Sequence, residues 1–111
     1  MNTSELTGAA LDWAVAKLEF PEPDYCSEDW LVYITEGCSD EGWVFNPSEN
    51  WAQGGPIIER EGVCVKKHPN WWTAYIENDN LAQGPTPLVA AMRCYVASKL
   101  GEEVDVPKEL I

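Results

Sequence analysis

The segment Thr86-Pro87-Leu88-Val89-Ala90-Ala91-Met92-Arg93-Cys94-Tyr95-Val96-Ala97-Ser98-Lys99-Leu100-Gly101 decides how the rest of the chain must be arranged. Thr86 followed by Pro87 makes an N-cap and a first-turn proline, where the missing N–H would have had no helical partner, and Gly101 supplies the stop. Leu88, Ala91 with Met92, Tyr95 with Val96, and Leu100 recur at the helical period and predict a core-facing stripe. Lys99 in the last turn suits the negative end of the helix dipole. A helix of this kind needs apolar cover, and the preceding segments supply it.

Upstream, Trp71-Trp72-Thr73-Ala74-Tyr75-Ile76-Glu77 is aromatic and β-branched and reads as a strand. Val63-Cys64-Val65-Lys66 is its partner, with His68-Pro69-Asn70 as the hairpin loop and Asn78-Asp79-Asn80 as closing turn chemistry. Trp30 to Thr35 reads as another strand, and Trp43-Val44-Phe45 pairs back on it across the turn-like Ser39-Asp40-Glu41-Gly42. Near the start, Thr7 is placed as N-cap, and Leu6 and Leu11 form a hydrophobic staple. Leu11, Ala14, Val15 and Leu18 continue one apolar stripe until Pro21 and Pro23 end the helix. Between the two halves, Gly54-Gly55-Pro56 reads as a corner, with Pro56 to Glu61 as a single helical turn stopped by Gly62. The fold class is therefore α+β: a small, mostly antiparallel sheet packed against two helices at about residues 7–19 and 87–100. Residues 1–111 are expected to form one domain, with a loosely packed acidic tail over 102–111.

The net charge of −12 excludes several function classes. Every charged side chain from Glu19 to Glu49 is acidic, and such a field repels phosphate backbones, so direct nucleic-acid binding is not expected. No apolar run approaches the roughly 20 residues of a membrane span, and no basic-then-apolar leader is visible, so the expected setting is soluble and cytoplasmic. Cys26, Cys38, Cys64 and Cys94 are widely spaced, and with His68 as the lone histidine they offer no zinc pattern, so free thiols and no metal or cofactor are expected.

Chemistry concentrates in Trp51-Ala52-Gln53-Gly54-Gly55-Pro56-Ile57-Ile58-Glu59-Arg60-Glu61-Gly62. Trp51 and Gln53 on one side of the glycine corner and Arg60 on the other suggest a stacking surface, an amide and a guanidinium around exposed backbone N–H groups of Gly54 and Gly55. Asn46 and Ser48, in the polar loop before Trp51, offer further donors and acceptors. Lys66, Lys67 and His68 form the basic cluster, and Trp71 or Trp72 follows; alternation along a strand leaves one of the two free to stack on a ligand. Glu59 and Glu61 beside Arg60 read better as ion-paired carboxylates than as an acid–base pair, so catalysis is not favoured.

Ser4 to Asp12, the Trp51–Gly62 motif, and Gly84-Pro85-Thr86-Pro87-Leu88 continuing through Ala90 to Val96 together resemble the phage NinX family. The resemblance covers almost the whole chain except residues 21–46. It implies a small accessory protein of tailed bacteriophages or prophages acting in the bacterial host cell, and it transfers no activity and no site residues. The expectation is a non-enzymatic protein that binds a small polar or nucleotide-like ligand through Trp51, Gln53, Gly54, Gly55, Arg60, Trp71, Asn46 and Ser48, sequestering a host defence signal. The alternative is an acidic interaction module whose 19–49 segment docks on a basic host or phage protein, and surplus exposed tryptophan would favour a homo-oligomer.

Overall fold

The computed structural model describes residues 1–20, 24–26, 31–34, 43–77 and 79–110. A 3₁₀ turn at Thr3–Glu5 leads into α1 (Gly8–Glu19), followed by β1 (Asp24–Cys26), β2 (Leu31–Ile34) and β3 (Trp43–Val44). Then come α2 (Trp51–Glu61), β4 (Cys64–Lys67), β5 (Trp72–Ile76), β6 (Asp79–Gly84), α3 (Pro87–Leu100) and a final 3₁₀ turn at Lys108–Leu110. Two three-stranded antiparallel sheets result, ordered β1-β2-β3 and β4-β5-β6, so the fold is α+β. Pro21, Pro23, Trp30, Thr35, Ser39–Gly42, Cys38 and Asn78, on which several sequence expectations rest, lie outside the described residues.

α3 is the axis of the core. Its buried residues are Leu88 to Met92 and Cys94 to Val96, which leaves Arg93 as the interruption in an otherwise apolar middle. A helix apolar all round must be covered all round. The second sheet covers one side, and α1 and α2 pack on the remainder. Leu100, expected in the stripe, is instead 42% exposed, because Gly101 turns the chain away immediately after it. The Thr86 hydroxyl does cap, accepting from Val89 N at 3.1 Å. Thr7 holds the N-cap position of α1 but its hydroxyl makes no capping bond; Leu6 and Leu11, both fully buried, secure that end.

The predicted hairpin is present, with Cys64 opposite Tyr75 and Lys67 opposite Trp72. β6 was not anticipated. Asp79, Asn80 and Gly84 have low strand propensity, and the strand exists because it pairs with β5 and lies against α3. Gly84 makes the approach feasible, since a Cβ there would stand 2.7 Å from Ala90 N. The tail is more firmly held than expected. Val104 and Leu110 are buried, Val104 N donates to Met1 O at 3.0 Å, and the Thr3 hydroxyl donates to Gly101 O at 2.7 Å.

The largest correction concerns α2. Asn50, not Pro56, starts the helix: its side chain accepts from Ala52 N at 2.9 Å, and the helix runs through Gly54, Gly55 and Pro56 to Gly62, which stops it at φ 68°. Local propensity argues against this path, and packing overrides it. At Gly54 the helix backbone closes on the preceding loop and on α3, where a Cβ would meet Pro47 O at 2.6 Å and Leu88 Cδ2 at 2.7 Å. A Cβ on Gly55 meets nothing within 4 Å. Gly54→Ala is therefore expected to destabilise by about 1–3 kcal/mol through overpacking, and Gly55→Ala to change stability by less than about 1 kcal/mol, its gain in helix propensity being offset by the crowding that Pro56 imposes on the Cβ of a helical residue before it. Urea titration of the two variants checks the pair.

The loop before α2 is fastened to α1 by a buried carboxyl. Asp12, 5% exposed, accepts from Ser48 N at 2.9 Å, while the buried Ser48 hydroxyl lies nearby without completing a second hydrogen bond. Burial pushes the Asp12 carboxyl from its ordinary 3.8 up to about 7, opposed by the Ser48 N–H and reinforced by the charge of Glu49. Between those two values the folded protein keeps a proton that the unfolded chain releases, so stability falls as pH rises from about 4 to 7 and then levels off. Asp12→Asn keeps the acceptor and removes the charge. Its melting temperature is expected to exceed wild type at pH 8 and the gap to close as pH falls to about 4; a pH-independent gap would exclude charge burial as the cause.

Candidate functional site

The eight residues singled out by sequence do not surround one cleft. Gln53 is consumed structurally: its Oε1 accepts from Asn46 N at 2.6 Å and its Nε2 donates to Val44 O at 2.8 Å, clamping α2 to the end of β3. Asn46 thus meets Gln53 through its backbone. Gly54 is buried against Pro47 and Leu88, Gly55 is half-buried, and Ser48 is buried above Asp12. Trp51, 56% exposed, lines a shallow cleft of about 270 Å³ with Ser48, Glu49, Thr86, Pro87 and Leu88.

Arg60 lies nine residues further along the same helix, roughly 14 Å at 1.5 Å per residue, and faces other partners. It forms a two-pronged pair with Glu19, Nη1 to Oε1 at 2.9 Å and Nη2 to Oε2 at 3.0 Å, and its Nε donates to Glu61 at 2.9 Å. Lys99 reaches the other Glu61 oxygen at 3.3 Å, and the Tyr95 hydroxyl donates to Glu19 at 3.1 Å. These bonds to Glu19, and next those to Glu61, raise the Arg60 pKa further. Burial, then the Glu19 charge, pushes Tyr95 up to about 12. The cluster ties the end of α1 and the last turn of α2 to α3. Its carboxylates already neutralise the guanidinium, so its chemistry is that of a tether.

A different arginine is available. Arg93 projects from the apolar middle of α3, where Nε donates to Leu6 O at 2.7 Å and Nη1 to Gln83 O at 2.8 Å. Both partners are main-chain carbonyls. Among the described residues no carboxylate pairs with it, and the two N–H groups of Nη2 have no protein acceptor. Burial lowers its pKa without approaching neutrality for a guanidinium, so the charge stays.

Arg93 lines a cleft of about 520 Å³ together with Ser4, Asn70, Trp71, Gln83 and Gly84, among others. It also lines an adjoining one of about 300 Å³ with Asn2, Thr3, Ala97 and Glu102. Ser4, Leu81 and Ala82 belong to both, so the two form one groove with the guanidinium at its junction. Trp71, at the rim of the larger arm, is 41% exposed and stacks on His68 with ring centroids 4.8 Å apart and planes 10° from parallel. His68 in turn is fixed by Thr73, with Nε2 and Oγ1 3.0 Å apart. Strand alternation puts Trp72 against the core and leaves Trp71 outside, which answers which tryptophan is free. Lys66 and Lys67 are exposed on β4 and do not line the groove.

Of the expected site residues only Trp71 belongs to this groove. Arg93, Ser4 and Gln83 were not singled out, although one signal existed: Arg93 is the sole charged residue between Pro87 and Lys99, in a segment that is otherwise apolar and small. Among the described residues no group of three or more His, Cys, Asp or Glu is placed to hold a metal ion, and no helix is long and apolar enough to cross a membrane. Comparison with known proteins gives one family: a model described as Bacteriophage P22, NinX matches residues 2–99. No curated protein matches the chain.

Proposed function

The chain belongs to the phage NinX family, and from that premise we propose that this phage accessory protein acts without catalysis, by binding a small anionic, nucleotide-like molecule in the Arg93–Trp71 groove. The observation that carries the reading is a guanidinium that no carboxylate pairs among the described residues. In a protein of net charge −12, an arginine held by two backbone carbonyls, with free N–H donors in a cleft, has its binding edge arranged for an anion from outside. Trp71 offers the complementary ring face, pre-oriented by His68, for a planar heterocycle. Such a site suits capture of a small signal molecule of the host better than turnover, since Ser4 and Glu102, which line it, share no hydrogen bond among the described residues that would make them a nucleophile and its base.

Isothermal titration with nucleoside monophosphates, cyclic nucleotides and the matching uncharged nucleosides tests the reading. A nucleotide is expected to bind, and its nucleoside to bind much more weakly. Trp71→Ala should remove about 1–3 kcal/mol, five- to more than a hundredfold in affinity, while leaving the melting temperature near wild type because the side chain is outside the core. Folded protein that takes up none of these ligands, or that prefers the nucleosides, would overturn the assignment.

A further inference from the structure

Arg93 stands at the junction of the groove, with a cavity on either side of it. A mononucleotide with its base on Trp71 and its phosphate on Arg93 would occupy the larger arm and leave the smaller one empty. The smaller arm is built differently from the first. It is lined by Ala97 and Leu81, by Asn2, whose amide both donates and accepts, and by Glu102, whose carboxylate accepts from hydroxyl or amino groups and repels additional negative charge. Thr3 also lines it, but its hydroxyl is spent on Gly101 O.

The charge balance narrows the ligand further. One guanidinium matches a single negative charge, and Arg93 has no second cation beside it among the described lining residues. A terminal phosphate monoester carries close to two charges at neutral pH, and a di- or triphosphate carries more. The excess would face Glu102 inside an acidic protein. A phosphodiester carries one charge and has a substituent on each side.

We propose that the groove is a site for a linear dinucleoside monophosphate, its bridging phosphodiester on Arg93, one base on Trp71 and the second nucleoside in the arm of Ala97, Asn2 and Glu102. This rests on the ligand-binding reading of the groove given above. A cyclic dinucleotide fits less well, because its second phosphate would lack a counter-charge.

The test compares titration of a linear dinucleoside monophosphate, the corresponding nucleoside 5′-monophosphate and a cyclic dinucleotide of the same bases. The linear dinucleotide is expected to bind at least tenfold more tightly than either. Ala97→Trp should fill the smaller arm and weaken the dinucleotide far more than the monophosphate, closing the gap, with circular dichroism reporting the fold. Glu102→Gln is a second probe that cannot disturb folding through the side chain's own bonds, since Glu102 meets Thr3 through its backbone carbonyl. It should tighten the monophosphate more than the dinucleotide and so narrow the gap. Equal affinities for the mono- and dinucleotide, or a gap unmoved by both variants, overturn the two-armed site alone. Absence of binding by all three ligands overturns the underlying reading of the groove.

Discussion

The constraint on which the structure depends is that α3 has no face prepared for water through its middle. A helix buried on every side cannot be satisfied by a single partner, and the rest of the chain is arranged as a sheath around it. Two close approaches make the sheath fit. Gly54 admits the backbone of α2 against Leu88, and Gly84 admits the end of β6 against Ala90. In each case an added methyl group would collide with main-chain atoms, which have no rotamer to escape into. The groove is a by-product of the second approach. With β6 held against α3, the carbonyl of Gln83 falls beside the guanidinium of Arg93.

The parts of this arrangement that depend on local chemistry could be read from the residues. α3 is bounded by Thr86-Pro87 and Gly101, and the β4–β5 hairpin by aromatic and β-branched runs on either side of His68-Pro69-Asn70. The limits of α1 and the pairing of β3 on β2 were legible for similar reasons. What was misread depends on distant partners. Gly54-Gly55-Pro56 carries every local mark of a corner, yet Asn50 caps a helix that runs straight through it, because α3 and Pro47 require a side chain of no size at residue 54. β6 is composed of residues that form a strand only when β5 and α3 are already there.

The candidate site shows the same division. That one of Trp71 and Trp72 would be free followed from strand alternation, but which one followed from the core. Arg60 looked available because its neighbours in sequence are known and its neighbour in space, Glu19, lies 41 positions away. Arg93 draws no notice inside an apolar helix, and only the fold shows that its partners are carbonyls and that no carboxylate matches its charge among the described residues. The two arginines share one chemistry and differ in who answers it. Carboxylates neutralise Arg60, whereas carbonyl dipoles orient Arg93 and, among the described residues, no carboxylate answers its charge.

That difference bears on how the protein can diverge. A side chain that holds its neighbour through another side chain is lost whenever either mutates. The carbonyls of Leu6 and Gln83 are present whatever residues stand at those positions, so the bearing of Arg93 is inherited with the backbone. Ser4, Asn70, Ala97 and Glu102 on the groove walls are then at liberty to drift. On the proposed reading of the groove, one anionic guest is exchanged for another by changing the walls alone, with the charged anchor persisting as a fixed point of the scaffold.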